Sequence, residues 1–172
     1  MLKGIRIVEI EGLGPTPFAG MMFADLGADV TVIHRKDKSI FSNPKNILDR
    51  GKRSIELDLK DPKDLETAKK IIFRSDALIE GFRPGVMEKL GLGPNDLNEN
   101  PHLVYGRMTG WGQNGPKSKQ SGHDLNYIGL SGALWYASHP DTPPFTPPAL
   151  VGDVGGGALY LVIGVLSAIL NA

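Results

Sequence analysis

The chain has 172 residues, with 19 basic and 19 acidic side chains and a formal net charge of zero. This length supports one domain with a real core, and the balanced charge gives no overall attraction to nucleic acid or to an anionic membrane. The lack of cysteine excludes disulfides, thiolate metal sites and cysteine nucleophiles. We therefore expect no nucleic acid and no membrane among its partners. The N-terminus lacks the apolar stretch of a signal peptide, which favours a cytoplasmic location.

The first half of the chain alternates between strand-like and helix-like patterns. The predicted strands are Ile5–Ile10, Asp29–His34, Ser54–Leu59, Asp76–Phe82 and Leu103–Met108. Helices are predicted over Pro17–Leu26 and from Pro62 to about Arg74, the second with Asp61 as its N-terminal cap. Strands separated by helices predict a parallel sheet with right-handed crossovers. Such sheets bind ligands beyond the carboxyl ends of their strands.

After Thr109 the composition changes to residues typical of surface loops, with two further helices predicted near Asp124–Ala137 and Gly155–Leu170. The proline-rich stretch Pro140–Pro148 is predicted to be a rigid connector. The apolar run Ala158–Leu170 is shorter than a membrane span, so we expect a buried helix. A buried apolar helix needs neighbours on most sides, and the sequence stops soon after it. We therefore expect a fragment of a longer protein, or a partner chain that covers the helix.

The segment Gly12–Pro17 has some features of a dinucleotide-binding turn. It follows the first strand and precedes a helix, but Pro17 stands where a third glycine should allow close packing. Proline also removes backbone donors that would hold a pyrophosphate. A helix start capped by proline is the better interpretation, and a nicotinamide cofactor is not expected.

Basic residues follow several of the predicted strands. Arg35 ends the second strand, where its planar guanidinium suits a phosphate on a ribose. Lys52 precedes the third strand, and Arg83 and Lys89 follow the fourth. Each residue alone is typical of a solvated surface charge. Their repeated position beside strand ends leaves two interpretations equally open: surface charge, or a site for a phosphate-rich ligand such as a nucleotide.

Two short segments, Gly122-His123 and Gly152-Asp153, lie thirty positions apart and place a titratable residue near a predicted helix start. The helix dipole would favour a neutral His123 that can act as a base. Asp153 precedes three glycines, and backbone N–H groups near Gly155 and Gly156 could hold a negative oxygen. Both polar segments could equally be structural caps, and the residues alone leave that choice open.

Several segments taken together resemble the family III CoA transferases, over essentially the whole chain. They are Ile7–Glu9, Asp25–Val30, Glu80–Gly85, Arg107–Gln113 and the two segments around His123 and Asp153. The resemblance implies a Rossmann-like α/β fold, an open parallel sheet with flanking helices. Residues 1–172 would form the N-terminal part of a CoA-binding large domain. The rest of that domain and the family's small domain would lie beyond residue 172. The resemblance also implies a homodimer of two interlocked chains.

The resemblance also implies roles for particular residues. Asp153 stands at the position of the family's key aspartate, which is a nucleophile in the transferases and an acid/base in the related acyl-CoA racemases. A histidine at the position of His123 works opposite it in the racemases, so Gly122–Tyr127 favours the racemase reaction. The glutamate that pairs with that histidine lies beyond residue 172. Contacts with CoA are implied at Arg35, Lys52, Arg83, Lys89, Asp124 and Tyr127.

The expected substrate is an acyl-CoA thioester, and the expected reaction needs neither a metal nor a cofactor, since CoA is part of the substrate. Two alternatives stay open. One is a CoA transferase with Asp153 as nucleophile, and the other is an inactive CoA-binding or dimerisation fragment. A eukaryotic source would add the peroxisome and the mitochondrion to the expected locations.

Overall fold

The computed structural model describes residues 1–36, 46–145 and 150–172. Parallel strands form one sheet in the order β3-β2-β1-β4-β5. Their bounds are β1 Arg6–Ile10, β2 Asp29–His34, β3 Arg53–Glu56, β4 Ala77–Glu80 and β5 Val104–Arg107. In the middle of the sheet, Val8 of β1 lies between Thr31 of β2 and Leu78 of β4. This confirms the predicted α/β parallel sheet, although β3 and β4 end earlier than predicted.

Helices cover both faces of the sheet. Their bounds are α1 Pro15–Asp25, α2 Pro62–Phe73, α3 Val86–Lys89, α4 Asp124–Ser131 and α5 Leu159–Asn171. Successive side chains of a strand point to opposite faces, and β1 shows this directly. Ile7 packs with Phe23 of α1 and Val165 of α5, whereas Val8 packs on the other side with Ile72 of α2. Because both faces are covered, β1 is buried from Ile7 onward.

The helix starts follow from local chemistry. Asp61 caps α2, because its Oδ1 accepts the N–H groups of Lys63 at 2.9 Å and Asp64 at 3.1 Å, as predicted. Helix α1 begins at Pro15, two residues before the predicted start. Gly14 precedes it with a φ of 66°, a conformation that favours glycine.

The predicted single helix over Asp124–Ala137 is wrong. Helix α4 ends at Ser131, because Gly132 adopts the left-handed conformation with φ of 82°. Glycine at this position is a common way to end a helix. A short 3₁₀ turn, Ala133–Ala137, follows.

The last predicted helix begins earlier than expected and in a different form. Residues Leu150–Ala158 form a π-helix that runs directly into α5. Asp153 therefore lies inside the first turns of a helix and is not its N-terminal cap. A side chain at Gly155 would begin 2.8 Å from the carbonyl oxygen of Leu150, so the glycine makes room for this backbone path. Residues 146–149, in the predicted rigid connector, lie outside the described part of the chain.

Helix α5 is less buried than predicted. Val165 is buried, but Tyr160, Ile163 and Leu170 are 71%, 59% and 89% exposed. In the described part of the chain, one helical stretch, Leu150–Asn171, has 22 residues and is long and apolar enough to cross a membrane. Core helices of soluble proteins pass the same test of length and composition. The prediction that the apolar helix is too short to span a bilayer is therefore wrong, and the absence of a membrane stays a prediction.

A buried ion pair joins the sheet to α1. Lys52 Nζ donates to Glu9 Oε2 at 2.7 Å and to the Pro17 carbonyl at 2.9 Å. The side chains of Lys52 and Glu9 are 1% and 2% exposed. A methyl group at Gly20 would overlap the Glu9 carboxylate, so α1 can approach this closely only with glycine there.

Burial raises the pKa of Glu9 to about 7, although Lys52 opposes the shift. The Lys52 ammonium lies in the core, and the predicted contact of Lys52 with CoA stays a prediction.

Replacing Lys52 with methionine is expected to destabilise the protein by about 3–5 kcal/mol, because Glu9 stays buried without its partner. Urea unfolding measures the loss. The folded-state pKa of Glu9 lies above its ordinary value, so its protonation contributes stability below pH 4.5 that is lost as the pH rises to about 7. The loss should extend to higher pH in the variant, since Lys52 no longer favours the carboxylate.

The matched control is the double variant Glu9→Gln with Lys52→Met, which buries no charge at this position. It should recover part of the lost stability and show a weaker pH dependence than Lys52→Met alone. An unfolding free energy of Lys52→Met equal to that of the unaltered protein would contradict the assignment.

Candidate active site

The carboxyl ends of β1, β4 and β5 open on a cavity of about 610 Å³. The loops after these strands form one side of it, and α4 and the π-helix form the other. Its lining includes Thr16 after β1, Phe82 after β4, Met108 after β5, and His123, Tyr127 and Asp153. The cavity therefore lies at the edge of the sheet where the strand topology predicts a ligand.

His123 and Asp153 line this cavity from different elements. His123 immediately precedes α4, where its backbone N–H donates to Asn126 Oδ1 at 2.9 Å and its carbonyl accepts from the Asn126 N–H at 2.8 Å. These bonds hold the backbone of His123 and leave its exposed ring at the cavity. Asp153 is partly buried in the π-helix. The structure thus brings together the imidazole and the carboxylate that the sequence paired.

The surroundings of Asp153 favour its protonated form. Burial is the main reason that the pKa of Asp153 is raised, and the Asp124 carboxylate adds to the effect. His123 and the backbone N–H of Asp124 oppose it. The pKa of Tyr127 is also raised, by burial first and then by the charge of Asp153. A carboxyl group with a raised pKa is better matched to proton transfer near neutral pH than an ordinary one.

The carboxylate of Asp124 accepts hydrogen bonds from the backbone of the π-helix. Its side chain is buried, and its Oδ2 accepts the N–H groups of Gly152 at 2.7 Å and Asp153 at 2.6 Å. It does not belong to the described lining of the cavity. The carboxylate therefore bonds to the start of the π-helix, and the predicted contact of Asp124 with CoA stays a prediction.

Three of the residues implied to bind CoA are exposed near the same edge of the sheet. Arg35 follows β2, and its N–H donates to Glu11 Oε2 at 3.0 Å. Arg83 follows β4, and Lys89 ends α3. None of the three belongs to the described lining of the cavity. Their positions suit the outer part of a ligand that extends from the cavity, and their role stays a prediction.

Tyr127 does line the cavity. Its ring meets Trp111 edge-on, with 4.9 Å between the ring centroids. A methyl group at Gly110 would overlap the Tyr127 hydroxyl, so this close approach requires glycine. The aromatic pair fixes one wall of the cavity beside Asp153.

The two glycines predicted as oxyanion donors lie in the π-helix. Gly156 lines the cavity, whereas Gly155 is not among its described lining residues. In a π-helix each N–H bonds to the carbonyl five residues before it, so these N–H groups are directed at the carbonyls of Leu150 and Val151. The start of α4 offers donors without such acceptors. There the N–H of Asp124 lies near enough to Asp153 to favour the charged carboxylate. Donation by Gly155 and Gly156 stays a prediction.

Sequence reasoning missed a hydroxyl group in the cavity wall. Thr16 lies at the start of α1 with its side chain fully buried, and its Oγ1 has no partner within the described residues. A methyl group at Gly81 would lie 2.6 Å from that oxygen, so glycine after β4 leaves the space. Thr16 belongs to the segment Gly12–Pro17, whose interpretation as a proline-capped helix start gave the hydroxyl group no role.

Sequence reasoning also missed a charged cluster at the ends of β4 and β5. Glu80 is buried, its Oε2 accepts the Phe82 N–H at 2.6 Å, and burial raises its pKa to about 7. Arg107 donates to Glu88 at 2.5 Å and to Gln113 at 2.7 Å. The cluster therefore ties together the loops that carry the cavity walls.

The described ranges contain no group of three or more residues suited to hold a metal ion.

Comparison with known proteins gives consistent matches. A family model for CoA-transferase family III matches residues 2–172. The alpha-methylacyl-CoA racemase of Mus musculus is 45% identical over 170 residues, which cover 98% of this chain and 44% of that protein. A succinate–glutarate CoA-transferase of Agrobacterium fabrum is 30% identical over 190 residues, covering 99% of this chain and 47% of that protein.

A solved structure agrees with these matches. The crystal structure of a CAIB/BAIF family protein from Brucella suis superposes with a TM-score of 0.89 at 29% identity, over 98% of this chain and 49% of that one. The chain spans about half the length of the curated relatives it matches. Sequence and fold together show that the chain belongs to CoA-transferase family III.

Proposed function

We propose that the chain supplies the acid/base pair of an enzyme that interconverts (R)- and (S)-2-methylacyl-CoA thioesters. The observation that carries the proposal is that His123 and Asp153 line one cavity from two different elements. Inversion of a carbon needs a base on one face and an acid on the other, whereas a transferase needs only the carboxylate nucleophile. The 45% identity with the mouse racemase supports the same assignment.

The proposed reaction removes one proton from the α carbon and delivers another proton to its opposite face. The hydrogen beside a thioester carbonyl is weakly acidic, and its removal gives an enolate whose charge falls on the thioester oxygen. One of His123 and Asp153 removes the proton from its face, and the conjugate acid of the other returns a proton to the opposite face. The roles exchange for the other enantiomer. Backbone donors at the start of α4, and those predicted at Gly155 and Gly156, would stabilise the enolate by about 3 kcal/mol each.

The cavity and its surroundings suit a thioester of this kind. Phe82, Met108 and Ile128 supply apolar walls for the acyl part. We expect the exposed cations of Arg35 and Arg83 to bind the phosphates of CoA beyond the cavity. CoA then supplies binding energy remote from the reacting carbon. We propose neither a metal nor a redox cofactor for this reaction.

The exposed apolar face of α5 supports the interlocked homodimer as the proposed assembly of the complete protein. Tyr160 and Ile163 are more than half exposed and would be covered by further protein in such an assembly. The cytoplasmic, peroxisomal or mitochondrial location stays a prediction.

The reaction can be tested with each enantiomer of a 2-methylacyl-CoA in deuterated water. The complete protein should invert both enantiomers and place deuterium at the α carbon. His123→Gln and Asp153→Asn should each lower the inversion rate by at least about 100-fold, because each removes one general acid/base. Each variant should still exchange one enantiomer with retention, through the remaining base, and the two variants should spare opposite enantiomers. Chiral chromatography and mass spectrometry measure inversion and exchange separately.

The same experiment separates the alternatives. Exchange that survives both substitutions together would refute the residue assignment. A complete protein that neither exchanges nor inverts, but forms an acyl or CoA adduct on Asp153 with labelled substrate, would be a transferase. A protein that binds CoA without either reaction would be an inactive binding fragment.

Arg35 is expected to bind the ribose phosphate of CoA. Arg35→Gln should weaken the binding of CoA by about tenfold, equivalent to about 1.4 kcal/mol, and leave the binding of 3′-dephospho-CoA unchanged. Isothermal titration of the two ligands measures the difference. Lys3→Gln is a matched control, since Lys3 lies before β1 at the opposite edge of the sheet. Equal losses for both ligands would place Arg35 away from the 3′-phosphate.

A further inference from the structure

We infer that Asp124 is a positioning residue that fixes the Asp153 carboxylate relative to His123 across the cavity. The inference rests on the proposed function, because it concerns the geometry of the proposed acid/base pair. It gives Asp124 a role other than contact with CoA.

The geometry is that of one carboxylate joining two helix starts. Asp124 is the first residue of α4 and follows His123 directly. Its Oδ2 accepts the N–H groups of Gly152 and Asp153 at 2.7 and 2.6 Å. These N–H groups lie near the start of the π-helix, where backbone donors lack acceptors within the helix. The elements that carry the two proposed bases are therefore tied by a pair of short, charge-assisted hydrogen bonds.

This arrangement differs from an ordinary helix cap. Capping side chains normally bond to N–H groups two or three residues later in the same segment. Asp124 instead reaches residues 28 and 29 positions away. The use of a residue next to His123 makes the position of Asp153 depend on the position of His123.

Gly152 allows the carboxylate to come this close. A side chain at Gly152 would begin 3.0 Å from the carboxyl carbon and Oδ2 of Asp124. Such a contact is too short to be accommodated without a shift of Asp124 or of the π-helix. The glycine before Asp153 is therefore explained by the approach of Asp124.

The negative charge of Asp124 also raises the pKa of Asp153. Its Oδ1 is buried and has no partner in the described part of the chain, which is unfavourable for a charged group. A neutral amide could accept the same two bonds, so the hydrogen bonds alone do not require an acid. Among the described residues, the titratable groups that face Asp153 are Asp124, His123 and Tyr127, all carried by or next to α4. The loop before α1 approaches it with the uncharged Gly14.

The variant Asp124→Asn separates charge from geometry. The amide oxygen can accept both N–H bonds at the place of Oδ2, while the amide nitrogen takes the place of the unpartnered oxygen. The negative charge that helps to raise the pKa of Asp153 is then lost. For the enantiomer whose proton Asp153 removes, the rising limb of the exchange rate should move to lower pH. The limb for the enantiomer used by His123 should move less.

The variant Asp124→Ala removes the hydrogen bonds as well. Inversion is expected to fall by about 100-fold, since small misplacement of a catalytic group has effects of this size, with KM changed less than threefold. The amide hydrogens of Gly152 and Asp153 should exchange with solvent at least tenfold faster than in the unaltered protein. In Asp124→Asn they should stay protected, and this comparison holds even if the alanine variant folds poorly.

Asp76→Asn is the matched control. Asp76 Oδ2 accepts the Arg6 N–H at 2.7 Å, so it makes the same kind of long-range bond at the opposite ends of the strands. Its substitution should leave the pH profile and the protection of Gly152 and Asp153 unchanged.

The outcomes distinguish this inference from the proposed function. A raised KM with unchanged kcat in Asp124→Ala would make Asp124 a substrate contact and overturn the inference. Unchanged amide protection in Asp124→Ala would overturn it as well, whatever the activity. If the unaltered protein catalyses no exchange but Asp124→Ala loses the protection, the positioning stands and the proposed function fails.

Discussion

The position of β1 at the centre of the sheet determines where this protein can hold a ligand. Its backbone bonds to β2 on one side and to β4 on the other, all in parallel. The chain leaves β1 for α1 on one face and leaves β4 for α3 on the other, as their separate core clusters show. The two connections diverge, and a crevice opens between them at the carboxyl ends of the strands. The cavity between the Thr16 and Gly81 loops lies in this crevice.

A buried ion pair between Lys52 and Glu9 holds the side of the cavity formed by the start of α1. Glu9 of β1 and Lys52 meet beneath α1, and Lys52 also binds the carbonyl of Pro17. A buried ion pair is a costly way to gain stability, because both ions lose water. The pair does fix the orientation of α1 relative to the sheet, because Lys52 bonds to a carboxylate of the sheet and to a carbonyl of the helix at the same time. The pair thereby sets how the start of α1 faces the cavity.

The other wall depends on Asp124. The proposed bases sit on separate elements, α4 and the π-helix, and a proton can pass between them and one carbon only at a fixed separation. The Asp124 carboxylate joins those elements through the N–H groups of Gly152 and Asp153. Its charge also disfavours the ionised form of Asp153. A residue that does not line the cavity thus joins the two elements of the proposed pair and adds to the effect of burial on the pKa of Asp153.

The pairing of His123 with Asp153 was implied by the family resemblance, whereas the sequence by itself determined the strands, the parallel sheet and the Asp61 cap. These features depend on periodicity and on residues adjacent in the chain. Only the tertiary structure decided that Lys52 is buried and that Asp124 faces inward, because their partners lie 43 and 28 or 29 residues away. It also decided that the glycines after Asp153 lie in a π-helix. Exposed and buried lysines look alike in a sequence, and their difference arises only when distant segments meet.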